Sequence, residues 1–89
     1  MRLAVEVHRF EDEVRADCPT TNENQLAALT CLAYNIGAGA FHGSTVRRMH
    51  NAGDFMAAAN AFLMWDKVRN IIVPGLVRRR EAERSLYLQ

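Results

Sequence analysis

Between Leu3 and Val14 the apolar positions recur at Leu3, Val7, Phe10 and Val14, while Glu6, Arg9, Glu11, Asp12, Glu13 and Arg15 take the other faces. Steps of four, three and four residues draw one stripe along an amphipathic helix and do not fit the alternation of a strand. Asp17-Cys18-Pro19-Thr20 ends the pattern, because Pro19 lacks an N–H donor and restricts the residue before it. No capping residue precedes the stripe, so this helix reads as cut rather than begun. The next stretch has a different character. From Asn24 to Phe41, the residues Leu26, Ala27, Ala28, Leu29, Cys31, Leu32, Ala33 and Tyr34 leave almost no polar face. A helix apolar on nearly every side has to be wrapped by other elements. At about 12–14 residues it is too short to cross a bilayer. Thr20 with Glu23 fits a capping box at its start, with Thr21 as a rival N-cap. Gly37, after Asn35 and Ile36, supplies a left-handed C-cap.

Beyond Gly37 the punctuation is dense. Ala38 to Gly43 reads as a glycine-rich turn, after which Ser44 or Thr45 caps a short helix with Val46 and Met49 inward and Arg47 and Arg48 outward. Asn51-Ala52-Gly53 stops it. Asp54 caps a helix whose Phe55, Ala58, Ala59 and Phe62 face the core and which ends near Trp65. The segment from Asp66 to Val73 reads either as a short extended run or as a turn packed on the core. A last helix runs from Leu76 to Leu88. No alternating strand pattern of useful length and no internal repeat is present. The expected class is all-α, a compact bundle of about five helices around the buried central one.

A chain of 89 residues, 49% of them hydrophobic, makes one domain with a modest core. Its net charge of +1 gives no argument for nucleic acid or a membrane surface. Arg2 and Glu6 interrupt any apolar run after Met1, so no secretory signal is expected. Cys18 and Cys31 lack metal-ligand spacing, and Cys31, inside the apolar helix, reads as a small core residue. His8, His42 and His50 show neither ligand spacing nor a nearby nucleophile and read as surface or loop residues. No metal or cofactor is expected. The charges of the last helix are less easily placed. Arg78, Arg79 and Arg80 fall in its first turn, against the helix dipole, at about 0.3–1 kcal/mol per exposed charge. The pairs Arg79–Glu83 and Arg78–Glu81 run in the weaker order, basic residue first. Three arginines so placed suggest a carboxylate partner elsewhere.

Three blocks, in order, carry a resemblance to a known family. They are Tyr34-Asn35-Ile36-Gly37-Ala38-Gly39-Ala40-Phe41, then Ser44-Thr45 with Asn51-Ala52-Gly53-Asp54, then Pro74-Gly75-Leu76-Val77-Arg78-Arg79-Arg80-Glu81-Ala82-Glu83. Together they resemble the C-terminal lobe of the phage-type lysozymes, the muramidase endolysins. On that resemblance residues 1–16 are the truncated end of the helix joining two lobes, and 21–89 are the lobe proper. The family's reaction is hydrolysis of the β-1,4 bond between N-acetylmuramic acid and N-acetylglucosamine in peptidoglycan. Its catalytic Glu and the hairpin after it would precede Leu3. Glu6, Glu11 and Glu13 do not replace them, because they sit on the charged face of a helix with no pocket opposite.

The expectation is therefore a truncated phage lysozyme homologue, inactive alone and made in the cytoplasm of a bacterial host. By resemblance Tyr34, Asn35 and Trp65 line the glycan cleft, while Arg78, Arg79 and Arg80 meet the acidic residues of a complementary lobe. The alternative is a prophage-encoded protein-protein interaction module, dimerising through the stripe of Leu3, Val7, Phe10 and Val14.

Overall fold

A computed structural model describes the backbone of residues 2–89 and the side chains of residues 9–89. Six helices and one short hairpin follow in order: α1 (Arg2–Asp17), α2 (Glu23–Ile36), α3 (Ala38–His42), α4 (Thr45–Asn51), α5 (Phe55–Phe62), β1 (Lys67–Val68), β2 (Ile71–Ile72) and α6 (Pro74–Tyr87). The all-α class holds, with α3 forming where the sequence reads as a turn.

The start of α2 corrects the sequence reading. Neither Thr20 nor Thr21 is the N-cap. Asn22 is, its Oδ1 accepting from the Gln25 N–H at 2.7 Å while Gln25 Oε1 accepts from the Asn22 N–H at 3.0 Å. Asn with Gln three positions on closes the same reciprocal box as Thr20 with Glu23, two residues later. At the other end Gly37 has φ 97° and ψ 148°, a region open essentially to glycine alone, rather than the left-handed helical cap expected. Its N–H reaches the Ala33 carbonyl at 2.8 Å and its own carbonyl accepts from Phe41 N–H at 3.0 Å. One residue thus closes α2 and opens α3.

The core gathers Val14 and Cys18 from the end of α1, Leu29, Leu32 and Ala33 from α2, Phe41, Val46 and Phe62 from the short helices, and Tyr87 from α6. Helix α2 packs against both α1 and α6. It is not wrapped on every side, however: Ala27, Cys31 and Tyr34 form an exposed stripe. The expectation of Cys31 in the core is therefore corrected. Cys18 is fully buried and Cys31 is exposed. Burial, with Asp17 nearby, pushes the Cys18 thiol up to about 11. At pH 8 a small aromatic disulfide reagent is accordingly expected to react rapidly with one thiol per chain, and Cys31→Ser to abolish that phase. Two fast thiols would mean that the α1 end is open.

Of the stripe on α1, the described part, Phe10 and Val14, packs within the chain. Val14 is fully buried in the core, and Phe10 packs edge-on against Tyr34 with ring centroids 5.4 Å apart. Val14 is thereby taken from the expected dimer face, while Phe10 stays half-buried; the side chains of Leu3 and Val7, and of His8 and Glu6, lie outside the described residues. Glu11 and Glu13 pair with Arg15 and Arg9 at 3.3 and 3.9 Å along the helix surface.

His50 corrects another expectation, being buried rather than a surface residue. His42 is exposed and sits 3.0 Å from Asp17 Oδ1. Phe55, expected in the core, is 42% exposed. The undecided segment after Trp65 resolves as the extended alternative. β1 and β2 pair antiparallel, Lys67 opposite Ile72 and Val68 opposite Ile71. Arg69 and Asn70, with φ 54° and 68°, make the two-residue turn. Two residues per strand are too few to alternate, and Arg is not a residue that announces positive φ. Helix α6 then begins at Pro74, whose missing N–H is harmless in the first turn. The three arginines consequently lie in the second turn, where the helix dipole has faded.

Candidate functional site

Side chains on the facing sides of α2 and α6 enclose an open groove of about 420 Å³, lined by Thr30, Cys31, Tyr34 and Asn35 from α2 and by Arg79, Ala82, Glu83 and Leu86 from α6. A smaller pocket of about 370 Å³ lies around the end of α2, between Asn35, Ile36, Trp65, Lys67, Val68 and Leu76. Asn35 borders both. Of the residues expected along a cleft, Asn35 and Trp65 come together in the pocket, and Tyr34 joins Asn35 in the groove. Trp65 is half-buried against the core, and Tyr34 is 37% exposed.

The arginine run divides. Arg78 and Arg79 are exposed, with Arg79 on the groove wall. Arg80 is not at the surface at all; it is fully buried, which removes it from the set able to meet another lobe. Its Nη2 donates to Glu83 Oε2 at 3.0 Å, its Nε lies 2.9 Å from Glu83 Oε1, and its Nη1 donates to Asn35 Oδ1 at 3.0 Å. Glu83 is thus held by Arg80, where the sequence reading pairs it with Arg79. The reason is packing. Leu76, Arg80, Glu83 and Tyr87 repeat the four-three-four spacing of a helix stripe and turn inward together, so the charged pair occupies apolar register positions.

A buried carboxyl therefore stands beside Asn35, which the sequence reading does not foresee. Burial raises the Glu83 carboxyl above its ordinary range, and the Arg80 guanidinium opposes that shift. Both carboxyl oxygens face the guanidinium, and Glu83 is the one acidic residue lining either depression. Among the described residues no three His, Cys, Asp or Glu side chains converge as for a metal, and no helix is long and apolar enough to cross a membrane.

The helical fold finds its counterpart among the phage lysozymes. The model of the phage lysozyme family matches residues 1–83, and the chain belongs to that family. It is 48% identical over 66 residues to an endolysin of Bacillus phage B103, covering 74% of this chain and 25% of that protein. It is 47% identical over 70 residues to an endolysin of Salmonella phage P22, covering 75% of this chain and 45% of that protein. The solved endolysin from Escherichia coli O157:H7 phage FAHEc1 superposes with a TM-score of 0.91 at 33% identity, covering 98% of this chain and 58% of that one. This chain spans between a quarter and a half of the length of these curated relatives.

Proposed function

We propose that these residues form the C-terminal α-helical lobe of a phage-type lysozyme, with residues 1–16 as the end of the inter-lobe helix and 21–89 as the lobe proper. On this reading the lobe supplies one wall of the peptidoglycan cleft and no cleavage chemistry. The observation that supports it best is the meeting of Asn35 with Trp65 in one pocket at the end of α2. A carboxamide matches the hydroxyl and N-acetyl groups of a glycan, and the indole offers a flat apolar face with one donor. Tyr34 extends that wall along the groove.

Glycoside hydrolysis needs two carboxyl groups flanking the bond, about 5–5.5 Å apart in retaining enzymes and about 6.5–9.5 Å in inverting ones. Among the described residues Glu83 is the one acidic residue lining the groove, and both its carboxyl oxygens face Arg80, so no second carboxyl group stands across the groove from it. The exposed apolar groove with Arg79 on its wall, and Arg78 beside it, is then the face that receives a complementary lobe bearing carboxylates.

The test uses purified bacterial sacculi. The 89-residue polypeptide is expected to leave their turbidity unchanged and yet to sediment with them, while Asn35→Ala and Trp65→Ala each weaken retention about tenfold. Clearing of the suspension by this polypeptide would overturn the lack of cleavage; retention indifferent to both substitutions would overturn the assignment of the wall.

A further inference from the structure

The Asn35 end of the cleft is polarised from behind. Arg80 has a fully buried side chain, donates through Nη2 to Glu83 with its Nε 2.9 Å from the other carboxyl oxygen, and directs Nη1 at Asn35 Oδ1 from 3.0 Å. A guanidinium carries donors and no acceptor, so the carboxamide can meet it only through its oxygen. Its NH2 group becomes the free end, and Asn35 is itself exposed. The pocket beyond holds two further polar side chains, Trp65 and Lys67. Indole and ammonium are likewise donor-only. Lys67 also contacts Asp66 Oδ1 at 2.9 Å, which offsets its charge. The remaining lining, Ile36, Val68 and Leu76, is apolar.

We infer that Arg80 and Glu83 are positioning residues that lock Asn35 as a hydrogen-bond donor, making the pocket selective for an acceptor carried on a small apolar group. Acetamide and lactyl carboxylate both have that chemistry, a carbonyl or carboxylate oxygen near a methyl group; a sugar hydroxyl edge does not. The inference rests on the cell-wall reading above and assigns the pocket to the substituents of the amino sugars rather than to their rings. Buried pairing explains why the device is reliable. Neither Arg80 nor Glu83 can turn away without leaving a charge unpaired inside the protein.

Binding of a β-1,4 N-acetylglucosamine oligomer is compared with that of the β-1,4 glucose oligomer of equal length, which has a hydroxyl in place of each acetamide. The acetylated oligomer is expected to bind about tenfold more tightly, a preference on the scale of one to two hydrogen bonds. Asn35→Asp keeps an oxygen facing Arg80 but removes the donor, and is expected to erase the preference without lowering Tm. The double variant Arg80→Met/Glu83→Leu replaces the pair by apolar groups of similar size, so it keeps the fold while freeing the carboxamide; its preference is expected to fall about threefold or more. Peptide-free N-acetylmuramic acid, whose lactyl carboxylate is ionised, binding more tightly than N-acetylglucosamine would assign the pocket to the lactyl carboxylate, and the reverse order to the acetamide. Equal binding of acetylated and plain oligomers by the wild-type chain, or an unchanged preference in both variants, overturns the inference. Should the chain bind neither oligomer, the cell-wall reading fails separately. Acetate titrated against the Asn35 side-chain NH2 resonances then decides the positioning role: shifts in the wild type that vanish in the double variant support it, and equal shifts in both overturn it.

Discussion

Replacing Glu83 by alanine is expected to lower the free energy of unfolding by about 3–5 kcal/mol, because it leaves the Arg80 guanidinium buried without its countercharge. Arg80 is fully buried and Glu83 6% exposed, so water cannot solvate the orphan without opening the α2–α6 contact. A chain of 89 residues commands only about 4–13 kcal/mol in total. The single variant should therefore lose a large share of its stability, with its urea midpoint lowered and its m-value retained. Arg80→Met/Glu83→Leu removes both charges and is expected to match the wild type or exceed it, since the pair's attraction only offsets its own desolvation. If Glu83→Ala costs less than about 1 kcal/mol, the behaviour of an exposed pair, the burial described for Arg80 is wrong.

Tyr87→Ala is the second large effect, expected at about 3–5 kcal/mol. The Tyr87 ring is 2% exposed, with centroids 5.3 Å from Phe62 and 5.7 Å from His50. Its hydroxyl also closes a polar chain. His50 Nε2 lies 2.7 Å from the Thr20 carbonyl oxygen and His50 Nδ1 lies 2.6 Å from the Tyr87 hydroxyl. Only an N–H can meet a carbonyl, so Nε2 carries a proton, and in the neutral imidazole Nδ1 then accepts from the Tyr87 hydroxyl. The imidazole thereby ties the segment after α1, through α4, to the end of α6. Tyr87→Phe keeps the ring and orphans only Nδ1, so it should cost about 1–3 kcal/mol. Thermal and urea unfolding of the two variants separate the terms; equal losses would mean that the hydroxyl, not the ring, carries the stability.

The same elements show where sequence reasoning reaches. The stripe of Val14 with Phe10 and the apolar run from Leu26 to Tyr34 announce two helices, and both form. Asp54 announces a cap and is one, its Oδ1 accepting from Ala57 N–H at 3.1 Å. The family itself is legible in the blocks around Asn35, Asn51 and Arg78. Misplacements fall where two residue types satisfy one rule equally, as with Thr20, Thr21 and Asn22 at the α2 start. They also fall where burial depends on a neighbour: Leu32 is buried, yet Cys31 beside it lines the open groove facing α6 and stays exposed. Asn35 and Trp65 were nameable only through the family pattern, and Lys67 was not, because its position depends on a hairpin turned by Arg69 and Asn70.

What the amino-acid order determines alone is the long helices, the cap at Asp54 and the family, since periodicity, punctuation and motif act within a few residues of one another. Tertiary packing decides which polar groups go inside. Arg80 and Glu83 read as surface charges because hydropathy scores each residue singly, whereas two opposite charges one helical turn apart can be buried together once α2 lies across them. The orientation of Asn35 follows from that burial and from nothing local to it. A hydrogen bond across 45 positions of sequence exists only in the folded chain.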